Sequence, residues 1–265
     1  MEEKAARDGT MIAVRRWPAQ GPKAAMLIIH GLGEHSGRYD HVARFLNKRG
    51  IDVTAFDLRG HGLSGGRRGY VGRWSDYLDD VEDRLVETRS IGVPVVLYGH
   101  SLGGLIAISY ATSGRPQPDA LIASAPGLQD NLKPMLHVLP KILGPLLPTL
   151  AVATGITGDQ LSRDPAVGEA YFADPLVLTK ATLRLAAEAL QAQVTTIGRL
   201  TNISVPTLTI QGSEDSLVPP SASALLEPHA KRILYEGLRH ECHNEPEQEQ
   251  VLDDIASWVE SQVQM

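Results

Sequence analysis

The sequence predicts an α/β fold in which a mostly parallel central sheet is flanked by helices and carries an inserted helical cap. Short apolar segments rich in β-branched residues alternate with longer helical patterns, and this alternation indicates a parallel sheet covered on both faces. Polar or glycine-rich turns follow several of the short segments. The alternation stops between residues 127 and 178. A chain of 265 residues is long enough to form one such unit around a large core.

Six segments are predicted to be buried strands because they are short, apolar and β-branched. They are residues 25–29, 51–56, 93–98, 120–123, 207–210 and 232–235. The helices predicted between them lie near residues 38–49, 74–90, 102–113, 221–228 and 247–262. Sheets of this kind bind ligands beyond the carboxyl ends of their strands. We therefore expect the functional side chains in the turns that follow strands.

Residues 127–178 are predicted to form the cap, and residues 1–126 and 179–265 the α/β core. The cap segment is rich in Leu and Pro and has no clear strand. Its most apolar part, Met135 to Ile156, contains Lys141 and three prolines, whereas a membrane-spanning helix needs about 20 mostly apolar residues without charge. Two interpretations remain open and are compatible: an ordinary buried helix pair, or a lid whose apolar inner face lines a binding pocket.

Composition argues against several other classes of protein. The formal charge is -6 with basic residues dispersed among acidic ones, which is unlike a nucleic-acid-binding surface. The first residues lack the pattern of a signal peptide. The single cysteine, Cys242, excludes an intramolecular disulfide framework and fits a reducing compartment. We expect a cytoplasmic protein in which Cys242 is a small buried filler; an exposed thiol would instead confer sensitivity to thiol reagents.

The strongest chemical signal is the segment Gly99-His100-Ser101-Leu102-Gly103, which lies between a predicted strand and a predicted helix. This strand–turn–helix context is typical of a nucleophile elbow, whose tight turn needs glycine on both sides of the serine. The helix that starts here directs its N-terminal N–H groups toward a developing oxyanion. Ser101 is therefore the predicted nucleophile of an α/β-hydrolase fold.

A serine nucleophile needs a base and an acid, which in this fold follow it in the order acid, then histidine. The turn after residues 207–210 supplies Glu214 and Asp215; either could serve, and Asp215 is favoured because it lies further into the turn. The loop after the last strand supplies His240 and His243. One of these two histidines is expected to be the base.

The strand ends also carry residues suited to an oxyanion hole and residues that could bind a metal. An oxyanion hole needs the N–H after the nucleophile and another from an earlier strand–helix loop, so Leu102 and Leu32 are the predicted donors. His240, Cys242 and His243 are potential metal ligands. Their spacing differs from that of the helical zinc motif and no second cluster completes a site. We therefore expect neither a metal nor a cofactor.

Several blocks of the chain resemble the monoacylglycerol lipases, within the broader group of lysophospholipases and serine aminopeptidase-like hydrolases. The most specific block is His30-Gly31-Leu32-Gly33-Glu34-His35-Ser36-Gly37-Arg38-Tyr39. The matching blocks run across nearly the whole chain and also include residues 57–65, 99–104, 124–126, 212–215 and 240–246.

This resemblance implies the roles of individual residues. It identifies Asp215 as the catalytic acid and His240 as the base, and it assigns Glu34, Arg38 and His243 to the glycerol end of the substrate. The implied reaction is hydrolysis of a monoacylglycerol or related lipid ester through an acyl-enzyme on Ser101.

The resemblance also implies that the cap is an amphipathic lid that rests transiently on membranes or lipid aggregates. One departure is Arg239, at a position where the family often has tyrosine. It is expected to point to solvent; pointing inward, it would lower the pKa of the histidine.

Other functions remain as alternatives. A general carboxylesterase or a lysophospholipase would use the same triad, and a peptidase is a weaker alternative. Ser101 argues against the dehalogenases and epoxide hydrolases of this fold, which use an aspartate nucleophile. A catalytically silent ligand-binding protein could retain the fold, but every triad position in this chain is filled.

Overall fold

A computed structural model describes residues 1–131 and 134–263, and a twisted sheet forms its centre. The strands of the described residues are β1 (Glu2–Ala5), β2 (Met11–Trp17), β3 (Ala24–Ile29), β4 (Ile51–Phe56), β5 (Val95–His100), β6 (Ala120–Ser124), β7 (Ala151–Ala153), β8 (Lys180–Thr182), β9 (Thr207–Gly212) and β10 (Lys231–Tyr235). The central sheet has the order β1-β2-β4-β3-β5-β6-β9-β10. Strands β7 and β8 form a separate antiparallel pair.

The helices of the described residues alternate with the strands of the central sheet as predicted. They are α1 (Asp40–Lys48), α2 (Trp74–Arg89), α3 (Leu102–Ala111), α4 (Pro134–Leu143), α5 (Gly158–Leu161), α6 (Pro165–Ala173), α7 (Leu183–Ile197), α8 (Ser221–Ala224) and α9 (Gln248–Val263). Two differences from the prediction stand out. The helix expected near 221–228 is only one turn long, and α7 was not predicted.

Six strands of the central sheet run parallel to one another, in the order β4-β3-β5-β6-β9-β10. At one edge, β2 pairs with β4 and β1 pairs with β2, both in antiparallel register. All six predicted strands are confirmed, although β5 starts two residues later than expected, at Val95, and continues to His100. The parallel arrangement brings the carboxyl ends of β3, β5, β9 and β10 to one edge. The predicted functional turns therefore meet there.

Alternate residues of each central strand face opposite helical layers. Leu27 and Leu97 pack in a cluster with side chains of α2, α3 and α7. Met26 and Val96, one position away on the same strands, pack in a second cluster with side chains of α1 and α9. Because both faces are covered, the central strands are buried along their whole length and mostly apolar, which explains why the sequence shows them as short apolar segments.

The strands that were not predicted lie at one sheet edge and in the insertion. Strand β1 is mostly exposed and contains Glu-Glu-Lys-Ala, so it carries no apolar signal and depends on its ladder with β2. The three residues of β7 are exposed. The expectation that residues 127–178 contain no strand is therefore wrong at Ala151–Ala153.

The insertion between β6 and β9 contains α4 to α7 together with the β7–β8 pair. Helix α5 packs on α6, α4 packs on α7, and α7 packs on α3 of the core. The division of the chain at residues 126 and 178 stays a prediction, and residues 132 and 133 of the predicted cap lie outside the described residues. Within the described parts of the chain, no helix is both long and apolar enough to cross a membrane.

Candidate active site

Ser101 occupies the sharp turn between β5 and α3. Its backbone has φ 53° and ψ -115°, a left-handed conformation that a non-glycine residue adopts only when the surrounding structure holds it. The Ser101 N–H donates to Ser124 O at 2.9 Å, and Ser101 O accepts from Gly127 N at 2.9 Å. A Cβ at Gly99 would collide with Gly103 O, and one at Gly103 would collide with Ile29 O. The flanking glycines are therefore sterically required.

His240 and Asp215 form a buried hydrogen-bonded pair beside this turn. The two residues follow neighbouring strands, β10 and β9, and His240 Nδ1 donates to Asp215 Oδ2 at 2.8 Å. Asp215 Oδ1 accepts from the N–H groups of Leu217 at 3.0 Å and Val218 at 2.9 Å. The carboxylate is thus held from both sides and fixes the orientation of the imidazole.

The pKa of His240 is raised above its ordinary value. Burial lowers it, but the negative charge of Asp215 and the hydrogen bond to it outweigh burial. The Asp215 carboxylate therefore stabilises the imidazolium form of His240. A base with this environment can accept the proton of a serine hydroxyl during attack.

The two candidate acids, Glu214 and Asp215, differ in their surroundings. Glu214 is exposed, whereas Asp215 is buried against His240.

Arg239 does not point to solvent as expected: its Nη1 donates to Asp159 O at 2.6 Å and Ser162 O at 3.1 Å. Because these carbonyls lie at α5 of the insertion, Arg239 connects the histidine loop to the predicted cap.

The two predicted oxyanion donors lie beside Ser101. Leu32 follows β3, and Leu102 is the first residue of α3. Both line the same cavity as Ser101 and His240. The N–H of the first residue of a helix has no partner within the helix, so the Leu102 N–H is suited to the role. The oxyanion assignment stays a prediction.

Ser101 and His240 open into a cavity of about 250 Å³ whose wall is largely apolar. Helix α7 contributes Ala186, Ala189 and Leu190 to this wall. The other apolar side chains in the described lining are Leu32, Leu102, Leu105, Ile156, Leu161, Leu217 and Val218. Such a wall suits an aliphatic chain, because each buried CH₂ contributes about 0.8 kcal/mol. Sequence reasoning missed the part played by α7.

The apolar segment of the predicted cap contributes little to the cavity. Of the described side chains within residues 138–156, only Thr154 and Ile156 line it. Several others face away from the core, with Ile142 60% and Leu146 71% exposed. The side chains of residues 135–137 lie outside the described ones. Ile156 therefore lines the cavity, whereas most of the described apolar side chains of residues 138–156 face outward, and the lid stays a prediction.

The three residues assigned to the glycerol end occupy different depths. Glu34 lines the cavity, and its Oε1 accepts from Gly31 N at 2.6 Å and Tyr39 Oη at 2.9 Å. Arg38 and His243 are absent from the described lining. Arg38 donates to Glu34 Oε2 at 2.8 Å, so it lies behind Glu34. The assignment of all three to substrate binding stays a prediction.

His243 belongs to a cluster of buried rings next to the base. It stacks on Tyr39 with ring centroids 5.2 Å apart and meets His100 edge-on at 4.9 Å. His100 in turn lies 4.8 Å from the ring of His240. Burial holds the pKa values of His100 and His243 well below their ordinary range. The two rings are therefore neutral and surround the base without competing for its proton.

Among the described residues, no group of histidine, cysteine and carboxylate side chains is arranged to hold a metal ion. Cys242, which lies between the potential ligands His240 and His243 in the sequence, is fully buried. Burial raises the pKa of its thiol. Cys242 thus occupies a position suited to a small apolar filler.

Sequence reasoning missed Glu241 and Tyr171, which both line the cavity. The guanidinium of Arg38 lies 4.9 Å from the ring centroid of Tyr171, which comes from α6, and donates to both carboxylate oxygens of Glu241. Glu241 directly follows the predicted base, and this adjacency was the available signal. No local pattern marks Tyr171.

Comparison with known proteins gives full-length similarities. A model of the family described as serine aminopeptidase, S33, matches residues 20–247. The chain is 34% identical over 273 residues to the monoacylglycerol lipase of Mycolicibacterium smegmatis, covering 96% of this chain and 94% of the relative. It is 32% identical to phospholipase YtpA of Bacillus subtilis, covering 93% and 99% of the two chains.

Among solved structures, the chain is similar to the monoacylglycerol lipase of Paleococcus ferrophilus. The two share 29% sequence identity with a TM-score of 0.87, and the match covers 99% of this chain and 100% of the other. The similarity therefore extends over the core and the insertion together.

Proposed function

The chain belongs to the hydrolase family described as serine aminopeptidase, S33, and we propose that it hydrolyses monoacylglycerols to glycerol and a fatty acid. One observation carries this proposal: a strained serine turn and a histidine paired with a buried aspartate open into one largely apolar cavity. A cavity of this kind suits a single acyl chain. The similarity to proteins named monoacylglycerol lipase supports the substrate class.

In the proposed mechanism, Ser101 Oγ attacks the acyl carbonyl carbon while His240 accepts the hydroxyl proton. The N–H groups of Leu32 and Leu102 stabilise the oxyanion of the tetrahedral intermediate. Asp215 orients the imidazole and stabilises its charged form. His240 then returns the proton to the glycerol oxygen, and glycerol leaves. Water repeats the sequence on the acyl-enzyme and releases the fatty acid.

A second candidate substrate is a lysophospholipid. The 32% identity to a protein named phospholipase favours it, and the same triad would cleave its single acyl ester. A lysophospholipid differs from a monoacylglycerol in the charge of its alcohol portion. The discrimination between the two therefore depends on the polar part of the cavity.

We also propose that residues 127–178 act as a lid that contacts lipid surfaces. Support comes from a group of exposed apolar side chains on and after α4, which we call the outer apolar patch: Val138, Leu139, Ile142, Leu146 and Leu147. Exposed apolar groups of this kind mark sites of protein or lipid contact. A cytoplasmic protein with this patch would associate with membranes reversibly.

The decisive experiment compares four substrates. These are a long-chain monoacylglycerol, the matching diacylglycerol, a lysophospholipid and a short p-nitrophenyl ester, each with Ser101→Ala as control. We expect the highest kcat/KM on the monoacylglycerol, and no turnover by the variant. Cleavage of the short ester alone would retain the triad but reject the proposed substrate.

A further inference from the structure

Two buried carboxylates share one guanidinium beside the cavity. Glu34 and Glu241 both line it, and their side chains are 2% and 3% exposed. Arg38 donates to Glu241 through Nη1 at 2.6 Å and Nη2 at 2.7 Å. Its Nη1 also donates to Glu34 Oε2 at 2.8 Å. The three side chains therefore form one hydrogen-bonded unit that carries two negative charges and one positive charge.

Arg38 is fully engaged within this unit. Besides its two carboxylate partners, it packs against the ring of Tyr171, and it is absent from the described cavity lining. Glu241 Oε2 also accepts from Asn244 Nδ2 at 2.7 Å. Burial would raise the pKa of Glu241, but the charge of Arg38 lowers it. Glu241 is thus a fixed carboxylate at the cavity wall.

The charged side chains of this wall are the feature on which selection between ligands can depend. The described lining contains Glu34, Asp130 and Glu241 and has no lysine or arginine. A phosphate placed against Glu34 and Glu241 would be repelled, because the unit keeps one excess negative charge after Arg38 is counted and water screens charges poorly in a buried site. A neutral hydroxyl can donate to a carboxylate oxygen at no such cost.

We propose that Glu241 determines specificity by excluding esters whose alcohol portion is anionic and admitting those with a neutral polyol. This inference rests on the proposed function, since it concerns the alcohol released from the same acyl-enzyme. On this proposal, the enzyme does not cleave esters that resemble lysophosphatidate. Arg38 is a positioning residue that holds Glu241 at the wall.

The experiment measures kcat/KM on 1-acylglycerol and on 1-acylglycerol 3-phosphate of equal chain length. Wild-type enzyme should prefer the neutral ester by at least tenfold. Glu241→Gln removes one charge while keeping the shape of the side chain, and should reduce that preference at least tenfold, which is about 1.4 kcal/mol. Unfolding temperature and titration of Ser101 with a fluorophosphonate establish that each variant is folded and count its active sites.

Glu245→Gln is the matched control. Glu245 lies in the same loop and is also buried, but it binds Arg163 and the Arg239 N–H and is absent from the described lining. Its substitution removes the same charge without changing the cavity wall, so the substrate preference should stay at the wild-type value. Glu241→Asp keeps the charge and should retain most of the preference.

Two results would overturn the inference: a wild-type enzyme that cleaves both esters equally, or a Glu241→Gln variant that loses activity on both by the same factor. The latter would show that Glu241 only positions the histidine loop. Cleavage of 1-acylglycerol 3-phosphate alone would identify a lysophospholipase and would overturn this inference as well. Failure of the proposed function by itself looks different, since neither glycerol ester is then cleaved. In that case the acyl esters of 4-nitrophenol and 3-carboxy-4-nitrophenol provide the same neutral and anionic comparison.

Discussion

At the scale of single residues, the site depends on side chains and backbone held in conformations that the rest of the fold enforces. Ser101 is held at positive φ by hydrogen bonds to Ser124 and Gly127. Asp215 is held by backbone N–H groups and a hydrogen bond from Gln211 Nε2 at 3.2 Å. Such fixed geometry limits the reorganisation needed during the reaction.

The role of Asp215 is tested by Asp215→Asn. The asparagine keeps the size of the side chain but no longer stabilises the imidazolium, so kcat should fall by about 10⁴-fold. The pKa of His240 should also fall, which moves the rising limb of the pH–rate profile to lower pH. Glu214→Gln, at the exposed neighbouring acid, serves as the control. A loss of similar size in Glu214→Gln would reject the assignment.

The buried state of Cys242 predicts resistance to thiol reagents. Because the thiol is inaccessible and its pKa is raised, maleimide should leave the activity of the folded enzyme unchanged. Labelling should appear only in urea, as shown by mass spectrometry. Rapid inactivation under native conditions would mean that the histidine loop opens.

At the scale of elements, α7 and α4 carry their apolar side chains in different places. Helix α7 presents Ala186, Ala189 and Leu190 to the cavity and packs on α3 behind them. The outer apolar patch lies on and after α4 and faces away from the core. The cavity wall and the exposed apolar surface therefore belong to different elements, and we propose that chain-length selection depends on the first and lipid contact on the second.

The role of α7 predicts the effect of Ala189→Phe. A larger side chain at this part of the wall shortens the space for an acyl chain, so long-chain esters should lose at least tenfold in kcat/KM while short esters change little. Rates on p-nitrophenyl esters from acetate to palmitate would measure the effect. Exposed Val194→Phe on the same helix is the control. Equal loss at every chain length would indicate damage to the fold instead.

The outer apolar patch predicts a separate phenotype for the Ile142→Gln, Leu146→Gln double variant. Removing exposed apolar surface should weaken sedimentation with neutral phospholipid vesicles, because apolar burial contributes to interfacial binding. Hydrolysis of a short soluble ester should be unaffected, since neither side chain lines the cavity. Vesicle binding equal to wild type would contradict the proposed membrane contact.

At the scale of the whole molecule, several histidines are buried in the neutral state. Burial holds the pKa values of His30, His100 and His243 below their ordinary range and lowers that of His61 to about 3. The unfolded chain binds protons at these positions more readily than the folded one. The stability that these four histidines contribute is therefore fully present above about pH 6.5 and falls as the pH decreases below it.

Urea unfolding between pH 5 and 8 tests this expectation. Each such histidine should reduce the free energy of unfolding by about 1.4 kcal/mol per pH unit below its unfolded pKa. His240, whose pKa is raised, acts in the opposite sense, because its contribution is lost as the pH rises through the folded value. His61→Gln should lower the pH dependence of the free energy of unfolding by the contribution of one histidine, about 1.4 kcal/mol per pH unit. A free energy of unfolding that does not change between pH 5 and 7 would contradict the conclusion that these histidines are neutral in the folded protein.

The order of the six predicted strands along the chain, the position of Ser101 and the turns that carry the acid and the histidine were evident in the amino-acid sequence. These features depend on local patterns: apolar segments buried on both faces, glycines around a tight turn, and polar residues directly after a strand. The choice between Glu214 and Asp215, and between His240 and His243, came from family resemblance. The structure brings Asp215 and His240 into contact.

Other features required the tertiary structure. Contacts between residues distant in sequence decide which face of α7 meets the cavity and where the apolar side chains of the cap point. They also pair Arg38 with Glu241. Strand β1 depends likewise on its ladder with β2, since its own residues carry no apolar pattern. Local propensity is insensitive to such contacts, because burial and charge pairing arise only once the elements pack.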